Sequence, residues 1–572
     1  MIKRLLTFLV ILLLISCNKK NSSEQLHALI EKYESERKYD FKRNESVENT
    51  IKFYQLEANF AKKLIEEVKA VNVKDLSETD EISRELLLFV LQDKIDTHQF
   101  KIYLNPITSE SAFHLRLSRI GNRSLKNKKD INRYFKDLEE LSKKVDYNLA
   151  LLKAGVEEGI SQPKEVFQEY EKTYDIHIVS DVTQSDFYKP FLKLPETITS
   201  EQRDSILAVA KVSVKKNAVD QYQKIKNFFE NYYFPNTRKK LGVSTTPNGK
   251  EFYQNRINYY TTSTKYTAQD IHKIGLQEVA RIKAEMQQII ENLNFKGSFE
   301  DFLKFLRTDE QFYAKTPKEL LMFARDISKR IDAELPKFFK TLPRKPYGVV
   351  PVPAAIAPNY TGGRYSGSRS ETSAGFYWVN TYNLPSRTLY TIPALTAHEA
   401  VPGHHLQISL NNELPETIPA FRRGLYLSAY GEGWGLYSEN LADEMGIYTT
   451  PYEKFGKLTY EMWRACRLVV DTGIHAMGWT RQQVLDYMAK NTALSLHEVR
   501  TETDRYISWP GQALSYKIGE IKIRQLRKQA EDALGDKFNI RDFHEVILEE
   551  GTVTLSIMEK RVNKYITKTK NE

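Results

Sequence analysis

Helix-start signals followed by apolar residues at helical spacing recur along this chain, and they constrain its fold more than any other feature. The clearest example begins at Thr267, an N-cap type of residue with an acidic residue, Asp270, three positions later. Apolar residues then recur on one helical face, at Ile271, Ile274, Ile282, Met286, Ile289 and Leu293. The same cap pattern precedes apolar periodicity at Thr316, Thr480 and Ser495. The sequence therefore predicts a mostly α-helical protein.

Strand signals are few, and the best of them is the aromatic and β-branched run at Gly375–Asn380. The segment before it, residues 346–375, is dense in Pro, Gly, Ser and Thr, which is typical of a long ordered loop or a domain junction. We therefore predict a helical N-terminal part at residues 25–345. The part at residues 346–572 is predicted to hold a small β element and the chemistry.

The first residues read as a processing segment. Lys3 and Arg4 precede an eleven-residue, mostly aliphatic run from Leu5 to Ile15, which is too short to span a bilayer but suits a signal peptide. The run ends Leu14-Ile-Ser-Cys17, which resembles a bacterial lipobox. That resemblance implies a signal peptide at 1–17, lipid on Cys17, a polar tether at 18–24 and membrane anchoring in the cell envelope. A plain secretory signal with an incidental cysteine is the alternative.

The membrane that holds the anchor is predicted from the next residue. Asn18 gives no obvious inner-membrane retention signal, which favours the outer membrane. No later segment has 18 consecutive apolar residues.

Cysteine count and charge exclude several classes of site. The 572-residue chain has two cysteines, Cys17 and Cys466, too few for a disulfide framework or a cysteine-rich zinc site. Any metal must therefore be held by histidine and carboxylate. The 84 Lys and Arg against 74 Asp and Glu give a net charge of only +10, without a run of five or six like charges. A nucleic-acid partner is not indicated.

The histidines point to a metal site. Only eleven occur in the chain, yet three fall within eight residues, at His398, His404 and His405. Neutral imidazole is the commonest metal ligand, and the adjacent Glu399 is what a zinc hydrolase needs to take a proton from water. In the H-E-x-x-H helix the second histidine is four residues after the first, but here that position is Pro402.

Two geometries could still bring a second histidine to the metal. On a straight helix His405 returns to the face of His398, but it lies roughly 10 Å along the axis at 1.5 Å per residue. Alternatively, Pro402-Gly403 breaks the hydrogen-bond ladder and the resulting bulge places His404 beside His398. We favour His404, with His405 kept as the alternative ligand.

A catalytic zinc usually has three protein ligands and keeps one position for water. Glu432, flanked by the small residues Gly431 and Gly433, is the predicted third ligand. Glu439 lies seven residues later, on the same helical face, where it could orient a ligating histidine through the second ring nitrogen. An exposed, solvated face is the alternative interpretation of both glutamates.

These strings together resemble the DUF885 family of bacterial proteins. The strongest likeness is His398-Glu-Ala-Val-Pro-Gly-His-His with Glu432-Gly-Trp-Gly-Leu-Tyr-Ser-Glu. Further matching segments are residues 259–262, 271–276, 382–387, 467–479 and 505–519. The likeness covers nearly all of the mature chain.

The resemblance implies a mostly helical, zincin-like metallopeptidase fold with a deep cleft that the small β element lines. It also implies a Zn²⁺ cofactor and a peptide substrate. Tyr506, Tyr516 and His475 lie in matching motifs, so they are candidates for stabilising the oxyanion formed during hydrolysis. With 33 tyrosines in the chain, simple packing is the alternative for each tyrosine.

The predicted function is a zinc-dependent peptide hydrolase of the cell envelope. A metal-activated water attacks a peptide carbonyl, and Glu399 acts as the general base. The alternatives are a metal-dependent amidase or esterase, or an inactive zincin-like scaffold that binds peptides or cell-wall fragments.

Arg505 or Lys517 could bind a substrate carboxylate, although surface solvation is favoured for both. The strand at 376–380 is expected to pair with an extended peptide. His272, His497 and His544 are read as structural.

Overall fold

The computed structural model describes residues 21–36, 43–354, 356–368 and 370–572. The predicted signal peptide and Cys17 lie outside the described residues. The first described helix begins at Ser22, so the last three residues of the predicted tether, 22–24, are helical. Among the residues that are described, no helix is long and apolar enough to cross a membrane.

The N-terminal part is built from helices, as the sequence predicts. They are α1 (Ser22–Glu36), α2 (Val47–Lys69), α3 (Glu78–Gln99), α4 (Phe113–Leu117), α5 (Lys128–Glu157), α6 (Lys172–Asp175), α7 (Ser200–Val214), α8 (Asp220–Phe228), α9 (Phe234–Asn236), α10 (Gly249–Thr261), α11 (Ala268–Asn292), α12 (Phe299–Thr308) and α13 (Pro317–Phe338). The predicted cap of α11 is confirmed, since the side chains of Thr267 and Asp270 each accept the other's backbone N–H.

The C-terminal part is also mainly helical. Its helices are α14 (Ile392–Glu399), α15 (His404–Asn412), α16 (Ala420–Arg423), α17 (Ser428–Glu444), α18 (Pro451–Met477), α19 (Arg481–Asn491), α20 (Leu496–Ser508), α21 (Ser515–Leu534), α22 (Ile540–Leu548) and α23 (Leu555–Asn571). Thr480 and Ser495 cap α19 and α20 as predicted, each accepting a backbone N–H three residues later.

A three-stranded sheet lies between these two sets of helices in the chain. Its strands are β1 (Tyr347–Pro351), β2 (Gly363–Ser366) and β3 (Gly375–Val379), in the order β1-β3-β2. β3 is parallel to β1 and antiparallel to β2. Two strands therefore fall in the segment predicted as a loop or junction. The predicted peptide-pairing strand is β3, and that prediction is wrong, because β3 is central and both its edges are taken.

The two predicted parts share one hydrophobic core. A single cluster of buried apolar residues extends from Leu26 in α1 to Ile566 in α23. The long helices α11 and α18, one from each part, pack directly together, with Gly275 against Leu468 and Val469. The segment at 346–375 therefore marks a change of local structure and not a break in the core.

Lys517 lies at the centre of a buried charge network in the C-terminal part. Its side chain is fully buried, and Nζ lies 2.8 Å from Glu461 Oε1, 2.8 Å from Glu520 Oε2 and 3.0 Å from Glu278 Oε2. Burial alone would lower the pKa of Lys517, but these carboxylates outweigh it and raise the pKa. The expectation that Lys517 is solvated is therefore wrong, because its charge is needed to neutralise buried carboxylates.

Lys517→Ala is expected to lower the free energy of unfolding by about 3–5 kcal/mol, since it removes a fully buried cation that contacts all three carboxylates. Arg281 and Arg524 remain beside these carboxylates, but each contacts only two of them. Urea denaturation of both proteins measures the difference. Lys528→Ala is the matched control, because Lys528 is exposed and its ion-pair partner among the described residues is the exposed Asp532, one helical turn away. That change should cost less than about 1 kcal/mol. Equal losses for the two variants would show that the network does not stabilise the fold.

Candidate metal centre

The histidine-rich segment is an interrupted helix. The α14 ladder ends where Ala400 N–H donates to Thr396 O at 2.9 Å, and Gly403 N–H then donates back to Ala397 O at 3.0 Å. A Cβ atom at residue 403 would lie 2.0 Å from the carbonyl oxygen of His398, so only glycine fits this turn. Trp434 Nε1–H donates to Pro402 O at 2.8 Å and holds the turn from α17. The predicted bulge at Pro402-Gly403 is present.

The interruption brings His404 alongside His398. The two imidazole rings are 4.8 Å apart between centroids and nearly perpendicular, at 87°. Glu432 approaches both from α17, with Oε2 3.5 Å from His398 Nε2 and 3.4 Å from His404 Nε2. One ligand atom from each of the three residues lies within 4.8 Å of the other two. Three helices, α14, α15 and α17, thus bring three potential ligands together.

These three side chains fit the donor set of a catalytic zinc site. Two imidazole nitrogens and one carboxylate are a known three-ligand set, and they leave the fourth position open for water. Tetrahedral zinc with bonds of ~2.0–2.1 Å places its ligand atoms about 3.3 Å apart. The separations of 3.4 and 3.5 Å from Glu432 to the two imidazoles are close to that spacing.

Glu439 orients His398 from the side away from Glu432. Its Oε1 lies 2.8 Å from His398 Nδ1, so Nε2 is left facing Glu432 and His404. Arg464 Nη2 lies 3.5 Å from the same carboxylate oxygen and balances its charge. Both Glu439 and Arg464 are buried. The contact with His398 that was predicted for Glu439 is present. The alternative interpretation, that Glu439 lies on an exposed face, is wrong because the residue is buried.

The local electrostatics favour a positive charge among these groups. Burial alone would lower the pKa of His398, but Glu432 and Glu439 outweigh it and raise the pKa to about 9. Burial alone would raise the pKa of Glu432, but His404 and His398 hold it well below its usual value. A bound divalent cation would supply the positive charge that these two carboxylates favour.

The His398 ring packs directly against Gly435, where no side chain would fit. A Cβ atom at residue 435 would lie 2.7 Å from both Cε1 and Nε2 of the His398 ring, too close for any side chain. Gly435→Ala is therefore expected to displace the ring and to weaken zinc binding by roughly 10–100-fold, the range seen when a ligand loses its orientation. Competition with a chromophoric chelator measures the zinc affinity.

Gly424→Ala is the control for that substitution. Its added methyl group would meet nothing closer than Ala420 O at 3.7 Å. Zinc affinity should therefore stay within a few-fold of the parent. Similar zinc affinities for the two alanine variants would mean that the space beside Gly435 does not fix the ring.

Glu399 is positioned by the sheet. It is the last residue of α14, and its Oε2 accepts the backbone N–H of Tyr365 in β2 at 2.8 Å. The side chain is half-buried, so water can reach it. The predicted base therefore follows a candidate ligand directly in sequence and is fixed to the edge strand.

Two tyrosines lie at the site. The Tyr516 ring is roughly parallel to the His398 ring, with centroids 6.5 Å apart, as expected for a candidate site residue. The Tyr426 hydroxyl donates to Glu432 Oε1 at 2.9 Å. Sequence reasoning missed Tyr426, because one tyrosine among 33 in a segment without a motif carries no signal.

His405 points away from the three potential ligands. Its Nδ1 lies 3.1 Å from the Tyr365 hydroxyl and 3.2 Å from the Ser409 hydroxyl, and its ring packs 4.8 Å from that of Tyr347. Burial lowers its pKa to about 4. His405 is therefore not a ligand but a neutral residue that connects α15 to the sheet. It points away from His404 because consecutive residues of a helix point in different directions.

His475 and Tyr506 are engaged elsewhere. His475 Nε2 lies 2.9 Å from Tyr506 O, while Nδ1 accepts Val243 N–H at 3.3 Å. The Tyr506 hydroxyl accepts from Trp463 and Arg467 and donates to Glu502 at 2.7 Å. Both side chains are fully buried. Neither has a free group for substrate, so both are corrected to structural residues.

Arg505 was expected to be solvated, but the structure shows it buried. It donates to Glu502 at 2.9 Å and to Gln512 at 2.5 Å.

Two of the remaining histidines are structural, as predicted. His272 bonds to Thr472, and His544 bonds to Tyr437 and Phe338 O.

The chain has clear relatives among known proteins. The family described as "Bacterial protein of unknown function (DUF885)" matches residues 45–562. A crystal structure described as "the putative lipoprotein from Colwellia psychrerythraea" has a TM-score of 0.83 and 28% identity, covering 91% of this chain and 92% of that one. A "putative lipoprotein of unknown function from Shewanella oneidensis" has a TM-score of 0.61 and 18% identity over 89% and 92%, a likeness of fold. No curated protein matches the chain.

Proposed function

The chain belongs to the DUF885 family, and from its site we propose that it is a zinc-dependent peptide hydrolase with a zincin-like active centre. The observation that carries this proposal is the convergence of His398, His404 and Glu432, whose ligand atoms lie within 4.8 Å of one another. Glu432 is 3.4–3.5 Å from each histidine, and Glu399 follows His398 directly in sequence. A mere structural zinc would close four protein ligands, whereas these three leave one position open.

The chain's own residues can perform the proton transfers of peptide hydrolysis. Bound Zn²⁺ would supply Lewis acidity, lowering the pKa of water and polarising the peptide carbonyl. Glu399 accepts a proton from the attacking water and delivers it to the leaving amine when the C–N bond breaks. Its hydrogen bond to Tyr365 N–H fixes one carboxylate oxygen and leaves the other for this transfer.

Tyr516 and Tyr426 are suited to stabilise the developing oxyanion. Burial and the charge of Glu432 raise the pKa of Tyr516, and the charge of Glu432 also raises the pKa of Tyr426. Both hydroxyls therefore stay protonated. A protonated hydroxyl beside the metal ligands can donate a hydrogen bond to negative charge as it forms. Tyr516 is the better candidate, because the Tyr426 hydroxyl already donates to Glu432.

The outer edge of β2 is suited to hold the substrate backbone. β2 is an edge strand, and Tyr365 N–H points to Glu399 instead of to β3. An extended peptide that pairs along this edge would pass beside the proposed base. We therefore propose that the substrate peptide pairs with β2, and not with β3 as the sequence predicted.

Cleavage of a peptide library by the zinc-loaded protein tests this function. We expect cleavage that a chelator stops and that added zinc restores, because the three ligands bind a removable ion. Absence of cleavage across the library by a protein that carries zinc would contradict the peptidase proposal. Cleavage of esters or non-peptide amides alone would favour the amidase or esterase alternative.

We further propose that lipid on Cys17 anchors the chain in the cell envelope, at the outer membrane. The relative from Colwellia psychrerythraea, described as a putative lipoprotein, supports this proposal. α1 begins five residues after Cys17, so the tether would be short. Cys17→Ala should move the protein from the membrane fraction to the supernatant.

A further inference from the structure

Arg364 is a cation at the candidate centre that the proposed chemistry does not use. It lies on β2, directly before Tyr365, whose N–H fixes Glu399. Its side chain is exposed, and it sits opposite Trp378 in the register of β2 and β3. The guanidinium carbon lies 5.8 Å from the ring centre of Tyr360. The charge is therefore held at the strand edge where solvent and ligands can reach it.

Three other arginines near the site are committed to carboxylates of the protein. The ion pairs are Arg464 with Glu439 at 3.5 Å, Arg467 with Glu502 at 3.0 Å and Arg505 with Glu502 at 2.9 Å. By contrast, no carboxylate among the described residues lies within 4 Å of the Arg364 guanidinium. Arg364 is thus free to bind an anion from outside the chain.

The charges of the site act on Arg364. Partial loss of water around the guanidinium works against its charge, but neighbouring groups outweigh it and raise the pKa of Arg364. Those groups are Tyr360, Glu399, Tyr516 and Glu432. The guanidinium therefore lies within electrostatic reach of the base, a candidate ligand and the better oxyanion donor.

We infer that Arg364 binds the C-terminal carboxylate of a peptide, and that the substrates are peptides cleaved close to a free C-terminus. This inference rests on the proposed hydrolase function. The planar guanidinium matches a carboxylate with two parallel hydrogen bonds. A peptide on the outer edge of β2 would bring its terminal carboxylate to Arg364 while a nearby carbonyl reaches the metal ligands. Lys517 and Arg505 cannot serve this role, since both are buried in ion pairs.

Paired peptides that differ only in a free or amidated C-terminus test the inference. We expect the zinc-loaded parent to prefer the free acid by roughly 10–100-fold in kcat/KM, mostly through KM, as for a charge-assisted hydrogen bond. In Arg364→Gln the acid-to-amide ratio should fall to about one, and in Arg364→Lys to an intermediate value. Arg133→Gln, at an exposed position in α5, should keep the parent ratio.

Equilibrium binding separates this inference from the hydrolase proposal. The affinity of each peptide form is measured with zinc-loaded Glu399→Gln protein, which needs no turnover. We expect the free acid to bind more tightly than the amide, and we expect this difference to disappear when Arg364→Gln is combined with Glu399→Gln. That result supports the carboxylate site even if the parent protein cleaves no peptide. Equal affinities and equal cleavage of acid and amide would overturn it and leave the hydrolase intact. A preference that follows Asp or Glu side chains, and not the terminus, would also overturn it.

Discussion

Glu399→Gln is expected to lower kcat for peptide hydrolysis by roughly 10²–10⁴-fold, the usual contribution of a general base, while zinc stays bound. The amide has nearly the same size as the carboxylate, and its oxygen can still accept Tyr365 N–H, which the carboxylate accepts at 2.8 Å. It cannot take a proton from water. Steady-state cleavage of one peptide, with zinc content measured on the same sample, gives both quantities.

Glu416→Gln is the matched control for the loss of a carboxylate. Glu416 is exposed in the loop after α15, and it should leave kcat within about twofold. If Glu399→Gln hydrolyses the peptide as fast as this control, another group must accept the proton. If it instead loses zinc, the residue supports the ligands and its assignment as a base fails.

His404→Ala and His405→Ala are expected to differ sharply in metal binding, although the residues are adjacent. His404 Nε2 lies 3.4 Å from Glu432 Oε2, so its removal takes away a ligand. Loss of a group that only orients a ligand costs 10–100-fold in affinity, and we expect loss of the ligand itself to exceed roughly 100-fold. His405 bonds to Tyr365 and Ser409 instead, so its removal should leave the zinc in place.

His405→Ala should show a loss of stability in place of a loss of zinc. It removes the acceptor that the buried Tyr365 and Ser409 hydroxyls share and leaves them only a long 3.5 Å contact with each other, which costs about 1–3 kcal/mol. Chelator competition and urea denaturation on both variants separate the two effects. Loss of zinc in His405→Ala with retention in His404→Ala would reverse the ligand assignment.

The helices were predictable because their signals are local. Thr267 and Asp270 lie within one turn of each other, so the sequence alone contains both halves of the cap. Glu432 and Glu439 are seven residues apart, a spacing that places both on the face of α17 toward His398. Local periodicity thus accounts for the helical class and for much of the candidate site.

The choice between His404 and His405 depended on a non-local bond. Gly403 N–H donates to Ala397 O, a contact across the interruption that residue spacing does not specify. Two of the three strands, β1 and β2, were missed for a related reason. β1 and β2 lie in a segment rich in Pro and Gly, and their order depends on pairing with β3.

His475 and Tyr506 show the limit of reasoning from motifs. Both lie in segments that match the family, yet their polar atoms bond to other parts of the core. A matching string identifies a residue but not the direction of its side chain. Arg364 shows the reverse, because no motif marks it and its proposed role follows from the lack of an ion-pair partner among the described residues.

Zinc content tests the candidate metal centre most directly. The purified parent protein, dialysed against trace zinc and then against metal-free buffer, should retain about one zinc per chain, as expected of a single three-ligand site. Glu432→Ala, which removes the ligand that faces both imidazoles, should retain almost none. A parent protein without zinc, or a Glu432→Ala variant that retains as much zinc as the parent, would contradict the metal centre.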